Sequence, residues 1–223
     1  MTITADSTVG AVATEHPLAT RVFARRGIDF CCAGGQALAA ACDAKGVDVQ
    51  QVITELEQEI AGREGTAERW DKRPLDALID HILSVYHEPL KEELPRIETM
   101  MRKVHIVHGA KDQARFDELL RTVLAIKGDI EQHLPKEEEI LFPMIKSGQG
   151  GMATAPMQVM EMEHETLGNL LRTVRSLTDG FAVPEGACNT WRALWVALED
   201  LERSLHEHIH LENNILHPRA RGQ

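Results

Sequence analysis

The sequence predicts an all-α protein, an up-down four-helix bundle preceded by a small helical domain. Three observations lead there. Val, Ile and Thr never gather into alternating runs, whereas Ala, Leu, Glu and Met dominate, a composition that favours helix. After Pro74 the chain carries four long stretches whose apolar residues recur at alternating steps of three and four, the spacing of a bundle core. The breaks between those stretches are short and turn-like, so consecutive helices run antiparallel.

Residues 1–60 read as a compact set of short helices. Apolar residues in Val9–Ala13, Leu18–Ala24, Ala37–Cys42 and Val49–Ile60 recur at helical spacing, punctuated by Pro17, Gly27, Gly34-Gly35 and Gly46. Residues 61–73 are polar, Gly-containing and aperiodic, the composition of a linker. Residues 74–223 then form the bundle, with helices expected at roughly 75–107, 112–147, 156–178 and 187–217. Breaks fall at His108-Gly109-Ala110-Lys111-Asp112, at 147–156 and at 179–186.

Composition narrows the function classes. A net charge of −11 disfavours nucleic acid and anionic membrane as partners, because both require a basic face. No apolar run approaches the ~18 residues that span a bilayer, and Met1 to Gly10 lacks the basic start and apolar centre of a signal peptide. The expected location is cytoplasmic. Four cysteines there read as reduced, metal-binding or redox-active, and eleven histidines are an unusually large share.

The phase of the helical stripes selects which histidines point inward. The first stripe runs Leu83, His87, Leu90, Leu94, Ile97, Met101, Val104, His108. The second runs Phe116, Leu119, Val123, Ile126, Ile130, His133, Glu137, Ile140, Met144. The third runs Met157, Met160, His164, Leu167, Leu171, Val174, and the fourth Leu194, Leu198, Leu201, Leu205, His208, Glu212, Ile215. His206 and His210 lie ~200° around the helix from His208 and face away from the stripe. His108 is in phase but ~31 Å along the helix from His87, too far to join it. Antiparallel packing places His87, the His133–Glu137 pair, His164 and the His208–Glu212 pair at a similar level, ~10–20 Å from one end.

A carboxylate in an apolar interior costs several kcal/mol unless it is paired or coordinates metal. His-x-x-x-Glu at i, i+4 presents an imidazole and a carboxylate side by side on one helix. Six such ligands exceed the needs of one tetrahedral zinc. They suit two ions of a metal that accepts mixed nitrogen and oxygen donors, with both glutamates bridging, and the imidazole majority favours iron over manganese. Pro89 and Pro135 each follow a ligand histidine by two residues, and kinks are expected there.

These residues resemble the hemerythrin-like fold, and the whole chain is similar to the family of proteins for repair of iron centres, the RIC or ScdA-type family. The likeness is carried by Asp29-Phe30-Cys31-Cys32, by the pairs His133/Glu137 and His208/Glu212, by Phe142-Pro143, and by His208-Ile209-His210-Leu211-Glu212-Asn213-Asn214. Family motifs continue Cys-Cys-Gly-Gly, whereas here Ala33 intervenes before Gly34-Gly35. The resemblance implies di-iron ligands at His87, His133, His164 and His208 with Glu137 and Glu212 bridging, so that the cofactor is two non-haem Fe ions, oxo- and carboxylate-bridged. It further implies a homodimeric stress protein that restores iron–sulfur clusters damaged by nitric oxide or peroxide, by supplying iron. The alternative implied function is a di-iron nitric oxide reductase or a sensor that binds nitric oxide or dioxygen. Whether nitric oxide is a substrate stays open.

Cys31 and Cys32 are expected to act in redox chemistry or iron transfer, against the alternative of a buried structural pair. Adjacent cysteines close a disulfide only through a strained ring, so any such bond is easily reduced. Cys42 and Cys188 read as packing residues. Glu163, beside His164, is either a support for a ligand or a surface residue. Of the methionines between Met152 and Met162, the in-phase Met157 and Met160 continue the third stripe as core.

Overall fold

The computed structural model describes residues 2–61 and 67–222, and its described residues contain no β-strand beyond an isolated bridge between Thr8 and Ala37. Part of the expected linker, 62–66, lies outside the described residues. Along the chain the helices are α1 (Val9–Glu15), α2 (Ala19–Arg26), α3 (Leu38–Asp43), α4 (Val49–Ile60), α5 (Leu75–Ile82), α6 (Glu88–His108), α7 (Gln113–Lys136), α8 (Phe142–Lys146), α9 (Thr154–Leu177), α10 (Asn189–Leu211) and α11 (His217–Ala220). Three π-helical turns intervene, at Leu83–His87, Glu137–Leu141 and Glu212–Leu216. Among the described residues no helix is long and apolar enough to cross a membrane.

The chain divides into two compact units. One comprises residues 1–80, 145–153 and 206–223, the other 81–144 and 154–205. In the second unit the stripes bury as their spacing predicts. Leu94, Ile97, Met101 and Val104 of α6, Leu119, Val123, Ile126 and Ile130 of α7, Met157, Met160, Leu167 and Leu171 of α9, and Leu194, Leu198, Leu201 and Leu205 of α10 are all buried. Asp112 starts α7 by accepting the Arg115 amide at 3.3 Å. Arg175 meets buried Glu202 through two guanidinium nitrogens, which satisfies a carboxylate that would otherwise be costly there.

In the first unit each of the four expected short helices forms. Thr8 caps α1 and Asp48 caps α4 through their side-chain oxygens, and Gly27 ends α2 at φ 63, a left-handed conformation that glycine adopts without steric cost. Val9, Val12, Val22, Phe23, Phe30, Leu38, Cys42, Val52 and Leu56 make one core. The cysteine packing role expected for Cys42 is therefore observed. Arg219 of α11 donates to the carbonyls of Trp70 (3.0 Å) and Arg73 (2.7 Å).

Two expectations need correction. Ile140 is 55 % exposed and Leu83 and Met144 are only half-buried, while Ile82, Leu141, Phe142 and Ile145 are buried instead. The reason is the π turn: closing i→i+5 bonds inserts one extra residue and shifts the stripe by one position. The expectation that Pro135 does not break its helix holds. Pro135 sits inside α7, which runs on to Lys136, and Pro89 lies in the first turn of α6, where its missing N–H costs little. Cys188 is not a packing residue but exposed.

Candidate metal centre

Within the bundle unit, the sequence-selected residues His87, His133, Glu137 and His164 are buried, at 0, 7, 0 and 1 % exposure. Nε2 of His133 lies 3.2 Å from Glu137 Oε1 and 3.1 Å from Nε2 of His164, which is itself 4.0 Å from the same carboxylate oxygen. The other oxygen, Oε2, lies 3.5 Å from Nε2 of His87. One carboxylate therefore presents one oxygen to two imidazoles and the second oxygen to another. Donors bound side by side to a metal at bonds of ~2.1 Å stand about 3.0 Å apart, which these separations approach. His133, Glu137 and His164 offer ligand atoms that all lie within 4.8 Å of one another. A mixed imidazole and carboxylate set, buried and convergent, fits iron.

Two of the outer imidazole nitrogens, those of His87 and His133, have a carboxylate behind them. His87 Nδ1 is 2.9 Å from Glu138 Oε1, and His133 Nδ1 is 2.8 Å from Glu163 Oε2. A carboxylate can only accept, so Nδ1 carries the proton and Nε2 turns its lone pair toward the centre. Lys91 and Lys136 in turn neutralise Glu138 and Glu163. Burial of Glu163 raises its pKa, but Lys136 and His133 outweigh it and hold the group below the usual carboxylate range. Glu163 thus supports the His133 imidazole and is not a free surface residue. Glu138 was not among the residues singled out from sequence, although its place directly after Glu137 was the available signal. A cavity of about 150 Å³ lies beside this half, lined among others by His133, His164, Lys136 and Glu163.

In the other unit His208 and Glu212 are buried, and His208 Nε2 lies 2.9 Å from Glu212 Oε1, as the i, i+4 spacing predicts. The π turn that begins at Glu212 also seats the cysteine loop. Asn214 Nδ2 donates to the carbonyls of Phe30 (3.2 Å) and Cys31 (3.1 Å), and Asn213 Nδ2 donates to Cys31 O at 3.3 Å. His210, off the stripe as expected, is buried with Nδ1 3.3 Å from the Phe30 carbonyl, and burial pushes its pKa down to about 4. It is a neutral donor at pH 7.

The loop itself turns on Asp29, whose Oδ1 accepts the amides of Cys31, Cys32 and Ala33 at 3.1, 2.9 and 3.3 Å. Burial alone would raise the Asp29 pKa; the amides of Cys32 and Ala33, the Cys31 thiol and His206 outweigh it and lower it. The two sulfurs stand 3.5 Å apart as free thiols, Cys31 buried and Cys32 half-buried. The Cys31 pKa is raised well above its ordinary value by its bond to Cys32, by burial and by neighbouring negative charge. Asp29, Cys31 and Cys32 form a further cluster with metal-ligand atoms within 4.8 Å of one another.

A helical bundle with a buried carboxylate set between imidazoles defines a metal-binding protein of the His/Glu type. Residues 78–220 match the family described as the hemerythrin HHE cation binding domain, and residues 5–60 match a domain of unknown function, DUF542. The chain belongs to the hemerythrin HHE family. It is 42 % identical over 219 residues, 98 % of both chains, to the iron–sulfur cluster repair protein YtfE of Yersinia pseudotuberculosis serotype IB (strain PB1/+). The same identity and coverage hold for the protein of that name from Yersinia pestis (strain Pestoides F).

Proposed function

We propose that this protein repairs iron–sulfur clusters damaged by nitrosative or oxidative stress, by supplying iron held on His87, His133, Glu137, His164, His208 and Glu212. The observation that carries the reading is Glu137, a fully buried carboxylate whose two oxygens serve different imidazoles in a chain alike over 98 % of its length to proteins named for that repair. Two non-haem Fe ions per chain would make the cargo, held by these residues, and the protein works as a cytoplasmic homodimer. When bound, iron would supply Lewis acidity and redox capacity to the site. Glu138 and Glu163 hold the imidazoles in the binding tautomer and orientation.

In this reading Cys31 and Cys32, with Asp29, form a transit site through which iron passes to a damaged cluster. Three donors within 4.8 Å of one another support it. Cys32, the more accessible thiol, is the one that meets the client. The second reading, reduction of nitric oxide or its binding as a signal, is favoured by the cavity beside His133 and His164, which has room for a few small molecules.

The test is anaerobic transfer. Iron-loaded protein is mixed with an apo iron–sulfur protein while cluster absorption, iron content and nitrous oxide are followed. Repair predicts close to two irons per chain, transferred faster than from an equal amount of free ferrous iron. Transfer no faster than free iron, with nitrous oxide formed, would overturn donation in favour of the second reading.

A further inference from the structure

We propose that Cys188 is an activated thiol that forms mixed disulfides with small carboxylate-bearing disulfides, His108 taking its proton. The site lies at the start of α10, and His108 is 21 residues along the chain from His87, so it stands apart from the proposed iron ligands.

Cys188 is exposed, and its carbonyl accepts the Arg192 amide at 3.0 Å, which makes it the residue that opens the 23-residue helix α10. Unpaired amides gather at such a position. His108, at the last turn of α6 and only 8 % exposed, places Nε2 3.2 Å from the Cys188 sulfur. Its ring lies 4.7 Å from that of Trp191, which fixes its direction. Two features beside this pair are left over from the fold. The Trp191 indole is 6 % exposed, yet its Nε1–H bonds to no described group, and a buried donor without an acceptor is costly. Lys111 places its ammonium 5.5 Å from the centre of the same ring. A spare N–H and a cation beside a nucleophile and a base describe a site for an anionic group, and a carboxylate suits both.

Cys32 is half-buried against Cys31 with its sulfur 3.5 Å away, and the two remaining thiols are buried. Cys42 is buried, and burial with the charges of Asp43 and Asp48 raises its pKa; Cys31 is held still higher. At Cys188 the thiol passes its proton to His108 Nε2 and the sulfur attacks one sulfur of the incoming disulfide. A new S–S bond forms as the old one breaks, and His108 returns the proton to the departing sulfur, which leaves as a thiol. The disulfide is the oxidant: half of it is reduced and the other half stays on Cys188.

The full-length protein, reduced and freed of reductant, is incubated anaerobically with 3,3′-dithiodipropionate (anionic) or cystamine (cationic), and adducts are followed by intact mass and peptide mapping. Cys188 should be modified first, and about fivefold or more faster by the anionic reagent. His108→Gln should slow that reaction at least about tenfold, the lower side of what a positioned base contributes. Lys111→Gln, at an exposed side chain, should erase the preference for the anion. Modification no faster than that of a short peptide spanning Cys188 overturns the proposal, as does a rate unchanged by His108→Gln. If His108→Gln does not fold, the Lys111→Gln arm decides: retention of the anion preference overturns the site.

Discussion

Gly34→Ala tests how the cysteine loop is held, because the glycine there is required by space and not by backbone conformation. A Cβ at position 34 would meet Asn214 Oδ1 at 2.1 Å and Cγ at 2.9 Å. Asn214 cannot retreat freely, since Nδ2 donates to the carbonyls of Phe30 and Cys31. Gly10 faces the same amide, with a Cβ there 2.3 Å from Oδ1, and its N–H donates to the Gly34 carbonyl at 2.7 Å. Relief of the clash therefore breaks two hydrogen bonds, a loss of about 1–3 kcal/mol, offset by up to ~1 kcal/mol because alanine restricts the unfolded chain. A net loss of ~1–2 kcal/mol corresponds to a fall in thermal midpoint of about 2–8 °C for a chain of this size. The decisive comparison is a double-mutant cycle. Asn214→Ala costs its own two bonds, but in that background Gly34→Ala no longer meets the Asn214 amide and should cost far less. Urea denaturation followed by circular dichroism should give a coupling of ~1–2 kcal/mol; additivity within ~0.5 kcal/mol would refute the clamp.

Four further outcomes follow from the same geometry. Glu163→Ala should weaken iron binding about 10–100-fold while the chain stays folded, measured by competition with a chelator, because His133 loses the acceptor at its Nδ1. His164→Ala should lose iron and His206→Ala keep it; His210→Ala should keep iron but lower the thermal midpoint, since a buried bond to the Phe30 carbonyl is lost, and iron loss as severe as for His164→Ala would contradict the assignment. The Asp29 carboxyl is lowered in the folded state, so its contribution is present above its unfolded pKa of ~3.9 and disappears as pH falls through the lower folded value; Asp29→Asn should flatten the stability profile in that acid window. The variant with both Cys31→Ser and Cys32→Ser should keep its iron and lose most transfer to an apo cluster protein, and full transfer by the folded, loaded variant would remove the cysteines from the pathway.

Much of the site was legible because a bundle core is a one-dimensional pattern. A charged or imidazole side chain at a core step of three or four is conspicuous, and all six residues so chosen are buried. What the stripe could not show is support from off-stripe positions. Glu138 is one step from the phase of Glu137, and only three-dimensional packing brings it to His87 on another helix. His210 faced away from the bundle core correctly, but its partner is a backbone carbonyl 180 residues earlier, a contact without any local signal.

The slip of the stripes has a cause that was visible in the sequence, singled out at Pro89 but also attached to Pro135, which does not share it. Each π turn is followed by a proline in the first turn of the next helix: Pro89 after Leu83–His87, Pro143 after Glu137–Leu141, Pro218 after Glu212–Leu216. A proline lacks the N–H that would bond the carbonyl four residues back, and its ring crowds that carbonyl. Those carbonyls belong to Val85, Glu139 and Asn214, the middle residue of each π turn. With the i→i+4 bond denied, the amide just past each turn reaches five residues back, Glu88 to Leu83, Phe142 to Glu137 and His217 to Glu212. Pro135 has no such effect, because α7 continues through it. Two of the three turns begin on a carboxylate of the proposed iron set and the third ends on a histidine of it. The same insertion moves Ile140 out of the core and brings Leu141 and Phe142 into it, so the prolines set both the register of the apolar packing and the backbone on which the proposed ligands stand.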